Sequence, residues 1–221
     1  MIGIGITTQS RIASVAMMAA LGLAGLGTAP ALAAPATLYG DPAAAAPFWR
    51  YQELDDDCIP MAVADVVGEL TGNEPTEHEI VEVARTTPST VHSGPVYKPG
   101  QRKRDQGTSF EDGPTLLAHY GIHAVSIDHV TMETLEQDLA GGRKVIAGVN
   151  AELLWGQPVV DKTSDGQPDA NHSVVVTGVD TAAGVVHLND SGSETGSDEK
   201  VPMAVFIRSW ASSDDQMTVT G

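Results

Sequence analysis

The sequence has very little cysteine: Cys58 is the only one among its 221 residues. A single cysteine excludes an intramolecular disulfide, which is a common way to stabilise exported domains of this size. Most unpaired cysteines are buried and inert, so a structural role for Cys58 competes with a chemical one. The run Asp55, Asp56 and Asp57 directly before it is more typical of the mouth of a site than of a buried strand.

Basic residues are also scarce, with 12 lysines and arginines against 29 aspartates and glutamates and a net charge of −17. Such an acidic chain is not expected to bind nucleic acid or an anionic membrane surface, because like charges repel. The sequence also lacks internal repeats, a glycine-rich phosphate loop and histidines at metal-ligand spacing. We therefore expect no nucleic-acid partner, no metal and no cofactor.

Long apolar runs are absent except near the start, where Arg11 precedes an apolar stretch from Ile12 to Leu26. The small residues of Ala31-Leu32-Ala33 follow at the spacing of a cleavage site. Residues 1–33 are therefore predicted to be a signal peptide cut after Ala33, and an uncleaved anchor is the alternative. No other stretch is apolar enough to span a bilayer, so the mature protein is expected to be secreted or associated with the cell envelope.

The remaining chain is long enough for one domain. Residues 34–48, which are rich in alanine and proline, predict a loose arm, and residues 49–221 predict the folded domain, expected to be a monomer. Helical periodicity indicates helices at 58–70, 76–85, 112–120, 131–140 and 202–210. Strand patterns occupy 122–127, 144–149, 172–179 and 185–188, with 217–220 as a final edge strand. Helices packed on an antiparallel sheet predict an α+β fold.

Cys58 is predicted to begin the first helix, because Pro60 suits the first helical turn. The positive end of the helix dipole would then favour the thiolate, which is the reactive form of cysteine. A cysteine nucleophile needs a base, and histidine suits that role. Of the seven histidines, His172 stands at the entrance of the most apolar strand, although a purely structural strand-end histidine is equally consistent with the pattern.

A third side chain must orient the imidazole. If 172–179 and 185–190 form a hairpin, the end of the second strand returns beside His172. It carries Asn189 and Asp190, and strand alternation lets only one of them face the site. Gln52, six positions before Cys58, is close enough in sequence to donate an N–H to an oxyanion together with the Cys58 backbone N–H.

Gln52, the run Asp57-Cys58-Ile59-Pro60, His172-Ser-Val-Val-Val-Thr-Gly and Val-His-Leu-Asn189-Asp190 together resemble the C39-like cysteine peptidases of the papain-like superfamily. The resemblance covers about residues 51–190. It implies a papain-like fold and thiol-dependent cleavage of a peptide bond, and together with the predicted signal peptide it leads us to expect a secreted cysteine peptidase that acts on a peptide or protein substrate through an acyl-enzyme. Residue by residue, Cys58 matches the nucleophile, His172 the base, Asp190 the orienting acid and Gln52 the oxyanion donor.

The sequence departs from that family at two positions. Ile59 stands where glycine is usual, which is expected to narrow the cleft or alter specificity, and Ser191 stands where proline is usual. Two other functions stay open: a cell-wall peptide hydrolase of the NlpC/P60 type, and an inactive C39-like binding or surface protein. The acidic run before Cys58 motivates the second, since nearby carboxylates disfavour a thiolate.

One basic cluster, Lys98 with Arg102, Lys103 and Arg104, lies in a predicted loop between 86 and 107. It is either a solvated loop or a flap that holds an acidic substrate group.

Overall fold

The computed structural model describes residues 37–99 and 107–221. The predicted signal peptide and Arg102, Lys103 and Arg104 therefore lie outside the described residues. The described helices are α1 (Pro42–Ala45), α2 (Cys58–Thr71), α3 (Glu77–Thr86), α4 (Gly113–His119), α5 (Met132–Ala140), α6 (Ala151–Leu154) and α7 (Met203–Trp210). The strands are β1 (Leu38–Gly40), β2 (Tyr97–Lys98), β3 (Gly107–Thr108), β4 (Ala124–Ile127), β5 (Val145–Val149), β6 (His172–Asp180), β7 (Val185–Asn189), β8 (Glu199–Pro202) and β9 (Met217–Thr220).

The main sheet has the order β4-β9-β5-β6-β7-β8, with β1 paired to the far end of β6, and its pairings are antiparallel. The α+β prediction is therefore confirmed. One detail was wrong: residues 217–220 form a strand, but β9 lies between β4 and β5 rather than at an edge. β2 and β3 form a separate hairpin.

Helices cover both faces of the sheet. Side chains of α2, α3 and α4 pack on one face with Ile146 and Val175, as the sequence predicts for the N-terminal helices. The opposite face carries Val145, Val174 and Val176, which are covered by residues of α5 and α7. Because neighbouring residues of a strand point to opposite faces, each central strand contributes to both hydrophobic clusters, which explains its unbroken apolar sequence.

Residues 37–48, which belong to the segment expected to be a loose arm, form regular structure. Leu38 and Tyr39 pair with Asp180 and Val179 of β6, and the Asp41 side chain accepts a hydrogen bond from the Ala44 N–H to begin α1. Backbone pairing with a buried strand thus replaces the flexibility that the alanine-rich composition suggested. Among the helices formed by the described residues, none is both long enough and apolar enough to span a membrane.

Candidate active site

Cys58 is the first residue of α2, as predicted, and its side chain is partly exposed. The helix forms here because Pro60 falls in its first turn and a long apolar stripe follows, which packs into the core. It ends at Gly72, whose φ of 73° is a left-handed conformation that glycine adopts readily. The helix therefore presents the Cys58 sulfur at its positive end.

His172 and Asp190 come together through the β6–β7 hairpin. His172 begins β6, and Asp190 directly follows β7. The imidazole Nε2 lies 2.7 Å from the Asp190 Oδ1, and both side chains are buried. The Cys58 side chain lies close enough to His172 to act on the pKa of the imidazole. Because Nε2 faces Asp190, Nδ1 is the ring nitrogen left to face the sulfur.

A β-bulge adjusts the two strands to each other. Val176 pairs with Leu188, but Gly178 pairs with His187, so Thr177 is the extra residue of β6. Above the bulge, His172 follows the alternation of Val174 and Val176, whose side chains belong to one face of the sheet. Because of the bulge, Val179 belongs to the same cluster as Val176 although it lies three residues further along the strand.

Asn189 faces away from His172. Its amide donates to the Asp65 Oδ2 at 2.8 Å and to the Ala45 carbonyl at 3.0 Å, and both contacts lie on the α2 side of the sheet. Strand alternation sends the next residue, Asp190, to the other side. The geometry thus distinguishes the two residues between which the sequence left the choice open.

Two further donors hold the Asp190 carboxylate. The Trp155 Nε1 donates to Oδ2 at 2.9 Å, and the Gly192 backbone N–H donates to Oδ1 at 2.8 Å. Burial alone raises the pKa of Asp190, but the contact with His172 and these two hydrogen bonds outweigh burial and hold the pKa below its usual value. The carboxyl group therefore stays ionised beside the imidazole.

The same contacts act on His172. Burial by itself lowers the pKa of the imidazole, while the hydrogen bonds and charges of Asp190 and Cys58 raise it to about 10. The imidazolium form is thus favoured across the neutral range. An imidazolium next to a cysteine at a helix N-terminus is the arrangement that stabilises a thiolate.

Gln52 lies near Asp190 because it forms hydrogen bonds with Ser191, the residue that follows Asp190. The Gln52 backbone N–H donates to the Ser191 carbonyl at 2.9 Å, and the Ser191 hydroxyl donates to the Gln52 Oε1 at 2.9 Å. The Gln52 Nε2 donates to the Leu54 carbonyl at 2.6 Å. These contacts fix the amide plane, and they engage one of its two N–H groups. The role of Gln52 as an oxyanion donor stays a prediction.

Comparisons with known proteins identify the family of this chain and support its fold. The model of the Peptidase C39-like family matches residues 43–218. The chain belongs to the Peptidase C39-like family. Uncharacterised proteins of Mycobacterium tuberculosis and Mycobacterium bovis are 51% identical to it over 231 aligned residues, covering 97% of this chain and 97% of theirs. A crystal structure of a candidate C39-like peptidase from Bacillus anthracis superposes with a TM-score of 0.59 at 19% identity, over 83% of this chain and 97% of that one. That likeness supports the fold.

The two departures from the usual C39-like sequence have structural explanations. Ile59 is 6% exposed and packs in the hydrophobic cluster beneath α2, so it acts as a core residue rather than narrowing the cleft as expected. Ser191 supplies the hydroxyl that holds the Gln52 amide, which a proline at this position would lack.

Sequence reasoning missed several residues that shape this C39-like site. The Trp155 ring packs against His172 with 5.4 Å between ring centroids, and the Trp49 Nε1 donates to the Asp190 carbonyl at 2.6 Å. Gly192 leaves room for them, since a Cβ there would lie 3.0 Å from both the His172 Cε1 and the Trp155 Cζ2. The only available signal was the rarity of tryptophan, with three in the chain.

The histidine and carboxylate side chains elsewhere are not gathered into a metal site. Across 37–99 and 107–221, no group of three or more His, Cys, Asp or Glu side chains is placed to hold a metal ion. His187 pairs with Asp198 at 2.6 Å between Nδ1 and Oδ1. His92 lies 3.7 Å from Asp112.

Proposed function

We propose that this protein is a cysteine peptidase in which Cys58, His172 and Asp190 act as a catalytic triad and Gln52 as an oxyanion donor. The observation that carries the proposal is the His172 imidazole, which Asp190 binds on Nε2 at 2.7 Å and which lies close enough to Cys58 for the thiol to act on its pKa. The C39-like family and the fold shared with a candidate peptidase support the same reaction class.

In the proposed mechanism, the Cys58 thiolate attacks the carbonyl carbon of a peptide bond and forms a C–S bond. The oxygen takes the negative charge, which the Cys58 backbone N–H and the second N–H of the Gln52 amide stabilise in this proposal. The C–N bond then breaks while the His172 imidazolium gives its proton to the leaving amine. Water, deprotonated by the neutral imidazole, attacks the thioester and releases the carboxylate product and the Cys58 thiolate.

Asp57 weakens the case for an inactive binding protein. The concern is that carboxylates next to Cys58 oppose a thiolate. Asp57 is fully buried. Burial, with a hydrogen bond and charge repulsion from Glu77, raises its pKa to about 9. At neutral pH the nearest member of the acidic run is therefore uncharged.

The test compares wild type with Cys58→Ala and His172→Ala. Each protein is treated with iodoacetamide at pH 6 and analysed by intact-mass spectrometry. Wild type should be labelled rapidly and once, His172→Ala should be labelled slowly, and Cys58→Ala should not be labelled. Incubation with a denatured peptide library should give new peptide termini with wild type only. A wild-type Cys58 that reacts at the rate of free cysteine and does not depend on His172 would overturn the proposal.

We also propose that residues 1–33 direct export and are removed. N-terminal sequencing of the protein recovered from culture medium and cell envelope should begin at Ala34. Recovery of the full-length chain from the membrane fraction would support the uncleaved anchor instead.

A further inference from the structure

The loop that joins Gln52 to Cys58 is anchored by a residue other than the four proposed site residues Gln52, Cys58, His172 and Asp190. Glu77, the first residue of α3, accepts backbone hydrogen bonds on its Oε1 from Glu53 at 2.8 Å and from Leu54 at 2.9 Å. The carbonyl of Leu54 is the group that accepts from the Gln52 Nε2. The position of the Gln52 amide therefore depends on Glu77 through a short chain of hydrogen bonds.

Glu77 also contacts the residue directly before the nucleophile. Asp57 occupies the N-cap position of α2, yet its side chain makes no capping hydrogen bond. Within the described part of the chain, no N–H or O–H group donates to either Asp57 oxygen, although both are buried. The carboxyl of Glu77 lies within hydrogen-bonding reach. Two carboxyl groups in such contact share one proton, because two like charges at that distance repel strongly.

The surroundings favour a neutral Asp57. The ionisable groups that act on it are Glu77 from α3 and its neighbours Asp56 and Cys58. The Tyr97 hydroxyl from β2 donates to the Asp56 Oδ1 at 2.6 Å. Arg85 of α3 lies 5.6 Å from the centroid of the Tyr97 ring and is not among the charges that shift the pKa of Asp57. Each acidic neighbour of Asp57 therefore adds to the electrostatic cost of ionising it.

We propose that Glu77 is a positioning residue of the active site: it anchors the Gln52 loop, and it accepts a hydrogen bond from the protonated Asp57, so that the negative charge of the pair resides on Glu77 and not on the residue directly before Cys58. This inference rests on the proposed function of Cys58 and Gln52. The raised pKa of Asp57, about 9, is consistent with it.

Glu77→Gln separates the two roles. Its amide oxygen can still accept from the backbone of residues 53 and 54, but its NH2 group donates to Asp57 and so favours the ionised aspartate. Negative charge then moves towards Cys58, and the pH midpoint for alkylation of Cys58 should rise by at least half a pH unit. Adding Asp57→Asn removes that charge, and the midpoint of the double variant should return to the wild-type value or fall below it, because the double variant carries no carboxylate at either position (both expectations follow from charge effects of about one pKa unit).

Glu77→Ala removes the anchor altogether. Alkylation needs no oxyanion donor, so kcat for peptide hydrolysis should fall about ten-fold or more while the alkylation rate at its pH plateau changes little. Glu82→Gln is the matched control, because Glu82 lies on the exposed side of α3 paired with Arg85. Circular dichroism and a denaturation curve for each variant establish that it is folded.

The outcomes are distinct. A wild-type Cys58 without enhanced reactivity contradicts the proposed function itself. A reactive Cys58 whose midpoint is unchanged in Glu77→Gln, or whose shift is not reversed by Asp57→Asn, overturns the role of Glu77 alone. A merely structural contribution of Glu77 would lower the denaturation midpoint without producing a shift that Asp57→Asn reverses.

Discussion

At the scale of single residues, the site depends on a glycine, which has no side chain, as much as on the side chains of its neighbours. Gly192 lies where a Cβ would approach the His172 Cε1 and the Trp155 Cζ2 to 3.0 Å, which is closer than such atoms normally pack. The glycine does not have a positive φ, so alanine fits its backbone conformation. Any effect of a substitution therefore reports on the imidazole and indole rather than on backbone strain.

We predict that Gly192→Ala lowers kcat/KM about ten-fold, because the neighbouring rings must move by a few tenths of an ångström and a displacement of roughly 1 Å in a catalytic group costs about 10²-fold. Thermal stability should change little by comparison. Gly113→Ala is the matched control, since a Cβ there meets only the Thr218 side chain at 3.4 Å. Equal activities of the two variants would show that His172 tolerates the intrusion.

The negative charge of Asp190 stabilises the protonated imidazole of His172, and this effect can be measured by titrating His172. Asp190→Asn should lower the pKa of His172 from about 10 by at least one unit, because the amide no longer stabilises the imidazolium. The measurement is a pH series of histidine Cε1–H resonances in isotope-labelled protein. Asp198→Asn removes the partner of His187 instead, and in that variant the His172 titration should stay in place.

At the scale of secondary-structure elements, the short strand β1 depends on Gly40. Its φ is +87°, and a Cβ would lie 2.3 Å from the Thr177 carbonyl oxygen. Alanine at this position combines an unfavourable backbone conformation with a clash against the bulge of β6. β1 would have to move away from the strand with which it pairs.

Gly40→Ala should therefore lower the free energy of unfolding by about 3 kcal/mol or more. Gly184→Ala provides the comparison, because Gly184 also has a positive φ, +68°, but nothing lies within 4 Å of its Cβ position. Gly184→Ala should lower the free energy of unfolding by only about 1 kcal/mol, which is the contribution of the unfavourable backbone conformation. Urea denaturation of both variants, followed by tryptophan fluorescence, measures the difference, and equal losses would argue against tight pairing of β1.

The elements that the sequence predicted well are those determined by neighbouring residues. The capping box of Thr76 and Glu79 marks the start of α3, and the turn between Asp180 and Val185 marks the hairpin that brings Asp190 to His172. β9 was misplaced because its position between β4 and β5 depends on partners far along the chain. Trp155 and Glu77 were missed for the same reason: their contacts with residues 190 and 53–57 are not encoded in local spacing.

At the scale of the whole molecule, the acidic composition produces buried carboxyl groups as well as an acidic surface. Burial is the first cause of a raised pKa at each of five carboxyl groups, and it raises that of Glu74 to about 7 even though Arg50 opposes the shift. Asp65 and Glu69 interact within α2, and the Lys144 Nζ lies 2.6 Å from the Glu69 Oε2. The carboxyl groups with raised pKa values are Asp57, Asp65, Glu74, Glu199 and Asp215.

These shifts determine how stability depends on pH. Each such carboxyl holds a proton in the folded state that the unfolded chain releases above about pH 4. The free energy of unfolding therefore falls as pH rises from about 4 towards each folded value, with a slope of at most about 1.4 kcal/mol per pH unit for a buried group such as Asp65 and a smaller slope for the partly exposed Glu74, Glu199 and Asp215. His172 acts in the same direction between about 6.5 and its folded value of about 10. The lowered pKa of Asp190 acts oppositely, but only below about pH 4.

We therefore predict that the protein is most stable in mildly acidic solution and loses stability steadily from pH 5.5 to 9.5. Urea denaturation at dilute concentration over that range avoids the sequence pI of about 4.5, where solubility is lowest. Asp57→Asn isolates one contribution: its amide can donate to Glu77 at every pH, so the variant should gain stability relative to wild type as pH rises towards 9. Parallel curves for the two proteins would mean that Asp57 ionises in the folded state as it does in the unfolded chain, and that the buried carboxyl pair beside Cys58 does not share a proton.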